Sequence, residues 1–156
     1  MAAACTLVAK DADLRARALR LLARREHSRA ELRRKLAAHV EEGVDLDALL
    51  DDFTRRGWLS EARYIEQTVR AKSRRFGPLK IAHYLREKGI DEAGMAKALA
   101  QASAGEADAL EAAWRTRFGA PPNDAAEKAR QIRFLQGRGF SLGSIMELLR
   151  RVDSRR

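Results

Sequence analysis

The chain has 156 residues, enough for one ordinary domain or for a few small units that share neighbours. Its 31 Lys and Arg exceed its 22 Asp and Glu to leave a formal net charge of +9, which favours a polyanionic partner, and the many acids exclude a disordered basic tail. A single cysteine, Cys5, excludes a disulfide within the chain and a cysteine-based metal site, and no apolar run approaches the ~20 residues of a membrane helix. The opening Met1 to Ala9 lacks the basic start and the length of a secretory signal, so a cytoplasmic location is expected.

Helix formers dominate, prolines number three, and nothing alternates with period two for long, so the expected fold class is all-α. In chain order, breakers and caps predict helices over 11–26, 28–42, 46–56, 60–75, 77–88, 91–103, 106–118, 124–138 and 141–151. Ser28 and Glu31 are spaced as a capping box, in which hydroxyl and carboxylate reciprocally satisfy backbone donors. Asp45, Ser60, Asp91 and Ser141 are the other expected N-caps, and Gly77-Pro78 starts a helix with a proline where no hydrogen bond is lost. Gly43, Gly57, Gly89 and Gly139 stand where chains commonly leave a helix.

These helices repeat. Those opening at Ser28, Gly77 and Ser141 align without gaps, bringing Leu32, Ile81 and Ile145 to one position and Leu36, Leu85 and Leu149 to another. Upstream, at a constant offset, Arg17 meets Arg130, Arg20 meets Arg133, Leu21 meets Phe134 and Arg25 meets Arg138. The expected architecture is three tandem three-helix repeats, 11–58, 59–105 and 106–156, in an elongated, curved arrangement after a variable N-terminal segment, 1–10.

No phosphate-cradling loop, nucleophile elbow, zinc-protease motif or calcium loop is present. His27, His39 and His83 occupy unrelated places in the repeat and read as surface or half-buried helix residues, while the neighbouring Asp51 and Asp52 read as a solvated face. Catalysis, a cofactor and a metal are not expected.

The basic residues carry more information. Arg17, Arg20 and Arg24 share one face of the first helix, and Arg130 and Arg133, with Arg138 beyond them, occupy corresponding places in the last repeat. In the middle repeat Arg70, Lys72, Arg74, Arg75 and Lys80 form a run free of acids. For any one of them a solvated face, or an Arg complementing a helix C-terminus, is the simpler explanation. Recurrence of such clusters in all three repeats points to a filament or DNA contact. The aromatic residues read mostly as core, with Phe76, inside the basic run, left open between core and base-stacking platform.

The segment Gly57-Trp58-Leu59-Ser60-Glu61-Ala62-Arg63-Tyr64, followed by Arg74 to Ile81 and by Leu85 to Ile90, resembles the central repeat of the bacterial RecX regulatory proteins. Arg133 to Ser141 resembles that family's closing repeat, and the likeness runs from about residue 14 to 151. Glu61 stands where the family often has Asp, a departure that keeps a helix-start carboxylate. The resemblance implies a modulator, usually an inhibitor, of the RecA recombinase. Such a protein binds the nucleoprotein filament, restrains its growth, and reduces ATP hydrolysis, strand exchange and co-protease activity. It implies no catalytic residues.

The expected partners are therefore RecA and its filament, together with single- or double-stranded DNA bound without sequence preference, and the expected state is a monomer. The alternative is a nonspecific DNA-binding helical module. A sequence-reading helix-turn-helix is disfavoured because 46–56 and 91–103, the helices that would enter a groove, are acidic or nearly neutral.

Overall fold

The computed structural model describes residues 2–154, with side chains from Val8 onward. Among the described residues there are nine α-helices and no strand. They are α1 (Ala2–Arg24), α2 (Arg29–Ala37), α3 (Leu46–Arg55), α4 (Glu61–Lys72), α5 (Pro78–Glu87), α6 (Glu92–Ala104), α7 (Glu106–Arg117), α8 (Ala125–Gly137) and α9 (Leu142–Asp153).

The expected punctuation holds at most joints. Asp45, Asp91 and Ser141 accept from the backbone N–H of Ala48, Gly94 and Ser144, and Ser60 accepts more loosely from that of Arg63. Gly57, Gly89 and Gly139 leave their helices with positive φ, the conformation that ends a helix most cheaply at glycine, whereas Gly43, also at positive φ, lies six residues beyond the end of α2. Two boundaries differ. The first helix starts at Ala2 rather than near residue 11, because a stretch rich in alanine and free of Gly and Pro has no reason to break. The second ends at Ala37 rather than near residue 42, where Val40 and Val44 turn onto the apolar core.

The helices fall into two compact units. One takes the chain up to Tyr64 together with Lys88–Ile90, and the other takes Ile65–Glu87 and the chain from Asp91 onward. In the first unit α1 packs on α2 and α2 on α3, around Leu14, Leu32, Leu36, Leu49, Leu50 and Phe53. The Ser28 hydroxyl donates to the Lys88 carbonyl at 2.6 Å while accepting from the Glu31 N–H, so one side chain both caps a helix and ties down a remote loop. The predicted reciprocal half of that capping box is absent: the Glu31 carboxylate is held instead by the Arg25 guanidinium, with both of its oxygens engaged. A fork that matches both carboxylate oxygens outcompetes a single backbone donor, and it holds the Glu31 carboxyl below its ordinary range. Asp52 is likewise no solvated residue. Arg15, Arg55 and Arg56 all converge on it, and the hydrogen bond from Arg15 leads the causes that lower its pKa.

His27 also departs from expectation, lying in the turn between α1 and α2 and 1% exposed. Its Nδ1 is 3.0 Å from the Arg25 carbonyl and its Nε2 is 3.2 Å from the Lys35 ammonium, so Nδ1–H donates and Nε2 accepts, the tautomer of a neutral ring. Burial lowers its pKa, helped by the positive charges of Arg25 and Lys35 and opposed by the hydrogen bond to the Arg25 carbonyl and by the Glu31 carboxylate. The unfolded chain therefore binds the extra proton first, and stability is lost as pH falls below the ordinary histidine value of about 6.5. One proton can tilt stability by at most about 1.4 kcal/mol per pH unit. The melting temperature should fall between pH 7 and pH 5.5, and His27→Phe, which borrows the residue found at the matching position of both other repeats, should flatten that dependence. Glu31, protonating only in stronger acid, does not contribute in this window.

In the second unit α5 packs on α6 and α6 on α7, and α7, α8 and α9 all touch one another, forming a closed three-helix bundle. Its interior holds Leu110, Trp114, Leu135, Phe140, Ile145 and Leu149. The Trp114 indole N–H donates to the fully buried Gln131 side chain at 2.8 Å, which satisfies two polar groups that would otherwise be costly to bury.

Candidate polyanion-binding groove

The basic run of residues 70–80 straddles the end of α4 and the start of α5, and the structure brings its second half against the end of α8. Pro78 has no N–H, but the donors on either side of it are used: Gly77 N–H donates to the Arg138 carbonyl at 2.8 Å and Leu79 N–H to the Gly139 carbonyl at 3.1 Å. The donor end of one helix thus meets the acceptor end of another, a favourable pairing of helix termini. Such an approach requires two glycines. A Cβ on Gly77 would lie 2.4 Å from the Gly139 carbonyl oxygen, and one on Gly139 would lie 2.4 Å from the Lys80 Cβ.

Beside this backbone contact runs an open groove of about 640 Å³, lined by Arg75, Phe76, Lys80, Arg133, Phe134, Gly137 and Arg138. Lys80 Nζ donates to the Gly137 carbonyl at 3.2 Å and Arg138 to the Arg75 carbonyl at 3.2 Å, contacts that fix both side chains across the junction. The Arg138 guanidinium stands 5.0 Å from the centre of the Phe134 ring and 5.9 Å from that of Phe76, and Lys80 Nζ stands 4.9 Å from Phe76. Phe118 meets Phe134 edge-on at 5.3 Å, with Arg117 near both rings.

What this groove lacks is a carboxylate. Among the described residues the ion pairs of the second unit are Arg70–Glu66, His83–Glu87, Arg115–Glu111, Arg130–Glu127 and Arg151–Glu111, and none reaches a groove residue. The first unit behaves differently. There Arg15, Arg25, Arg29, Arg33, Arg55, Arg56 and Arg63 are all matched with acids, and among the described residues the unmatched Arg17, Arg20 and Arg24 lie along α1. Arginines that end a helix gain only a few tenths to about 1 kcal/mol from its dipole, which does not explain gathering four cations about one opening.

Of the residues expected from sequence, Arg75, Lys80, Arg133 and Arg138 line the groove. Lys72 lies next to it, its ammonium 3.9 Å from the Tyr84 ring and 5.9 Å from Phe76, and Arg74 is exposed at the same turn. Arg70 and Arg130 are engaged with Glu66 and Glu127. Arg17, Arg20 and Arg24 belong to α1 of the first unit, where Arg17 contacts His39 and the other two are exposed. Phe76, left open by the sequence, is a half-buried floor residue of the groove, as is Phe134, expected to be core. The pairing of cations with rings was missed, although a signal for it was present: Phe76 is flanked four residues away by Lys72 and Lys80, and Phe134 by Arg130 and Arg138.

The fold is an all-α assembly of three-helix units, one of which carries a cationic surface held on aromatic rings. The first, second and third three-helix domains of RecX match residues 15–44, 60–99 and 105–149. Regulatory protein RecX of Leptothrix cholodnii is 47% identical over 141 residues, 90% of each chain, and Regulatory protein RecX of Neisseria meningitidis serogroup B is 40% identical over 138 residues, 88% of this chain and 90% of the other. The crystal structure of RecX from Lactobacillus salivarius matches with a TM-score of 0.80 over 94% of this chain and 99% of that one, a likeness of fold at 20% identity. The chain belongs to the RecX family of regulatory proteins.

Proposed function

We propose that this protein regulates the RecA recombinase by binding its nucleoprotein filament and restraining filament growth, so that ATP hydrolysis, strand exchange and co-protease activity all fall. The observation that supports this reading is the groove of the second unit: a RecX-family chain gathers Arg75, Lys80, Arg133 and Arg138 about one opening and leaves them without carboxylate partners. Arg17, Arg20 and Arg24 on α1 supply a further basic contact. The repeats, which we bound at 11–58, 59–105 and 106–156, act as linked modules. Contacts of modest strength then add through effective concentration, and loss of any single arginine costs little. The protein acts as a monomer, in the cytoplasm, without a reaction of its own.

The test is ATP hydrolysis by the cognate recombinase on single-stranded DNA during titration with this protein, alongside a measurement of how much bare DNA the protein occupies by itself. A fall in rate far below one molecule per recombinase subunit is the expected result. A fall that begins only once bare DNA is saturated would replace this reading with nonspecific DNA binding, and no fall at any amount would remove it.

A further inference from the structure

An arginine can be positioned in two ways with opposite effects on a ligand. A carboxylate fixes the guanidinium and cancels its charge, whereas a ring face fixes it and leaves the charge intact. In the first unit Arg15 and Arg56 stand over the Phe53 and Trp58 rings but are also paired with Asp52, whereas the cations of the groove stand over rings with no carboxylate beside them. Arg138 stands between the Phe134 and Phe76 rings, and Lys80 stands over Phe76. Each makes one hydrogen bond to a backbone carbonyl across the junction. Their other N–H groups stay available, and among the described residues the Arg75 and Arg133 side chains on the rim make no hydrogen bond or ion pair that would compete with a ligand.

From this geometry we infer that the groove is a site for the phosphodiester backbone of a nucleic acid strand, and that Phe76 and Phe134 are its positioning residues, holding the cations in place without neutralising them. The inference rests on the reading of the groove as a polyanion contact and not on the identity of the recombinase. Charge complementarity selects the occupant. An evenly charged strand meets all four cations in any register, which a peptide with fixed acid spacing does not. The half-buried rings also offer apolar surface to the sugars and bases that accompany the phosphates. Contact through the backbone carries no sequence information, so binding is sequence-tolerant and strongly salt-dependent.

The experiment uses the full chain and a labelled oligothymidine, with dissociation constants read by fluorescence anisotropy across a salt series and folding checked by thermal melts. Replacing Phe76 and Phe134 by Leu leaves the net charge unchanged and should raise Kd roughly tenfold, while replacing both by Tyr should leave it within about twofold. Arg75→Ala with Arg133→Ala should reduce the slope of log affinity against log salt by roughly 1.4, since each phosphate contact on a single strand carries about 0.7. Where the Leu pair melts early, Arg138→Lys takes its place, keeping the charge while removing the planar stack, with the same direction of loss. A folded Leu pair that binds as tightly as the parent protein overturns the inference. Inorganic polyphosphate that displaces the strand equally at matched phosphate concentration overturns the assignment to a nucleic acid. Retained DNA binding with lost inhibition of the recombinase overturns it too, assigning the groove to an acidic protein face. Lost DNA binding with unaltered recombinase inhibition would uphold the site while removing the groove from the proposed function.

Discussion

Gly139→Ala lowers the melting temperature by on the order of 10 °C, and Gly57→Ala by only a few degrees, in thermal unfolding followed by circular dichroism. Both glycines have positive φ, 88° and 72°, so alanine costs roughly 1–2 kcal/mol at either from its left-handed conformation. Their surroundings separate them. Nothing lies within 4 Å of a Cβ built at Gly57, whereas one at Gly139 meets the Lys80 backbone nitrogen at 2.5 Å and its Cα at 3.0 Å. Backbone cannot rotate away as a flexible side chain can, so α5 and the end of α8 must separate, adding roughly 1–3 kcal/mol of overpacking and weakening the two hydrogen bonds at Gly77 and Leu79. At about 2–4 °C per kcal/mol for a chain of this size, the sum gives the stated shift. The same displacement breaks the Lys80–Gly137 and Arg138–Arg75 hydrogen bonds and draws Arg138 away from Phe76, so Gly139→Ala should also weaken anion binding and Gly57→Ala should not. Equal shifts from the two variants would show that the close approach of the glycines contributes nothing beyond conformation.

Much of the fold was legible because its determinants are local. The cap at Asp91 needs only an acceptor three residues before a free N–H, and the glycine exits need only a missing Cβ. The internal alignment was legible for a related reason: Leu32, Ile81 and Ile145, matched by position alone, prove 0%, 1% and 0% exposed. Equivalent places in a repeated helix pair face equivalent cores.

The groove was legible only in its cations. Arg75 and Arg133 were both identifiable as unmatched charges, but the contact that brings their segments together is a backbone approach of Gly77 to Gly139, and no pattern of charge or hydropathy encodes a missing side chain at a distant partner. Local propensity also misplaced His27 and Glu31. The histidine was expected as a surface or half-buried helix residue and the carboxylate as half of a capping box, and each is overridden by tertiary contacts, the ring by burial and the carboxylate by Arg25.

On the proposed reading, Arg75→Glu combined with Arg133→Glu should weaken inhibition of the recombinase by on the order of 100-fold at physiological salt, because two proposed phosphate contacts would become two repulsions. Arg29→Glu combined with Arg33→Glu changes the net charge by the same amount and serves as the control. Arg29 lies 2.8 Å from Asp51, and Arg33 lies 3.1 Å from Asp47, so these cations are already balanced by acids of the first unit. Exposed pairs of this kind contribute about 0–1 kcal/mol each, so their reversal should lower stability modestly while changing inhibition by less than about threefold. The two outcomes separate because fixed charges act locally. Screening in physiological salt, with a Debye length of about 8 Å, favours charges that line the groove over charges that do not. Lowering the salt should extend the reach of a reversed charge and narrow the gap between the pairs. Equal losses at physiological salt would mean that overall charge draws the protein to the filament, and that the cations held on Phe76 and Phe134 act no differently from any others.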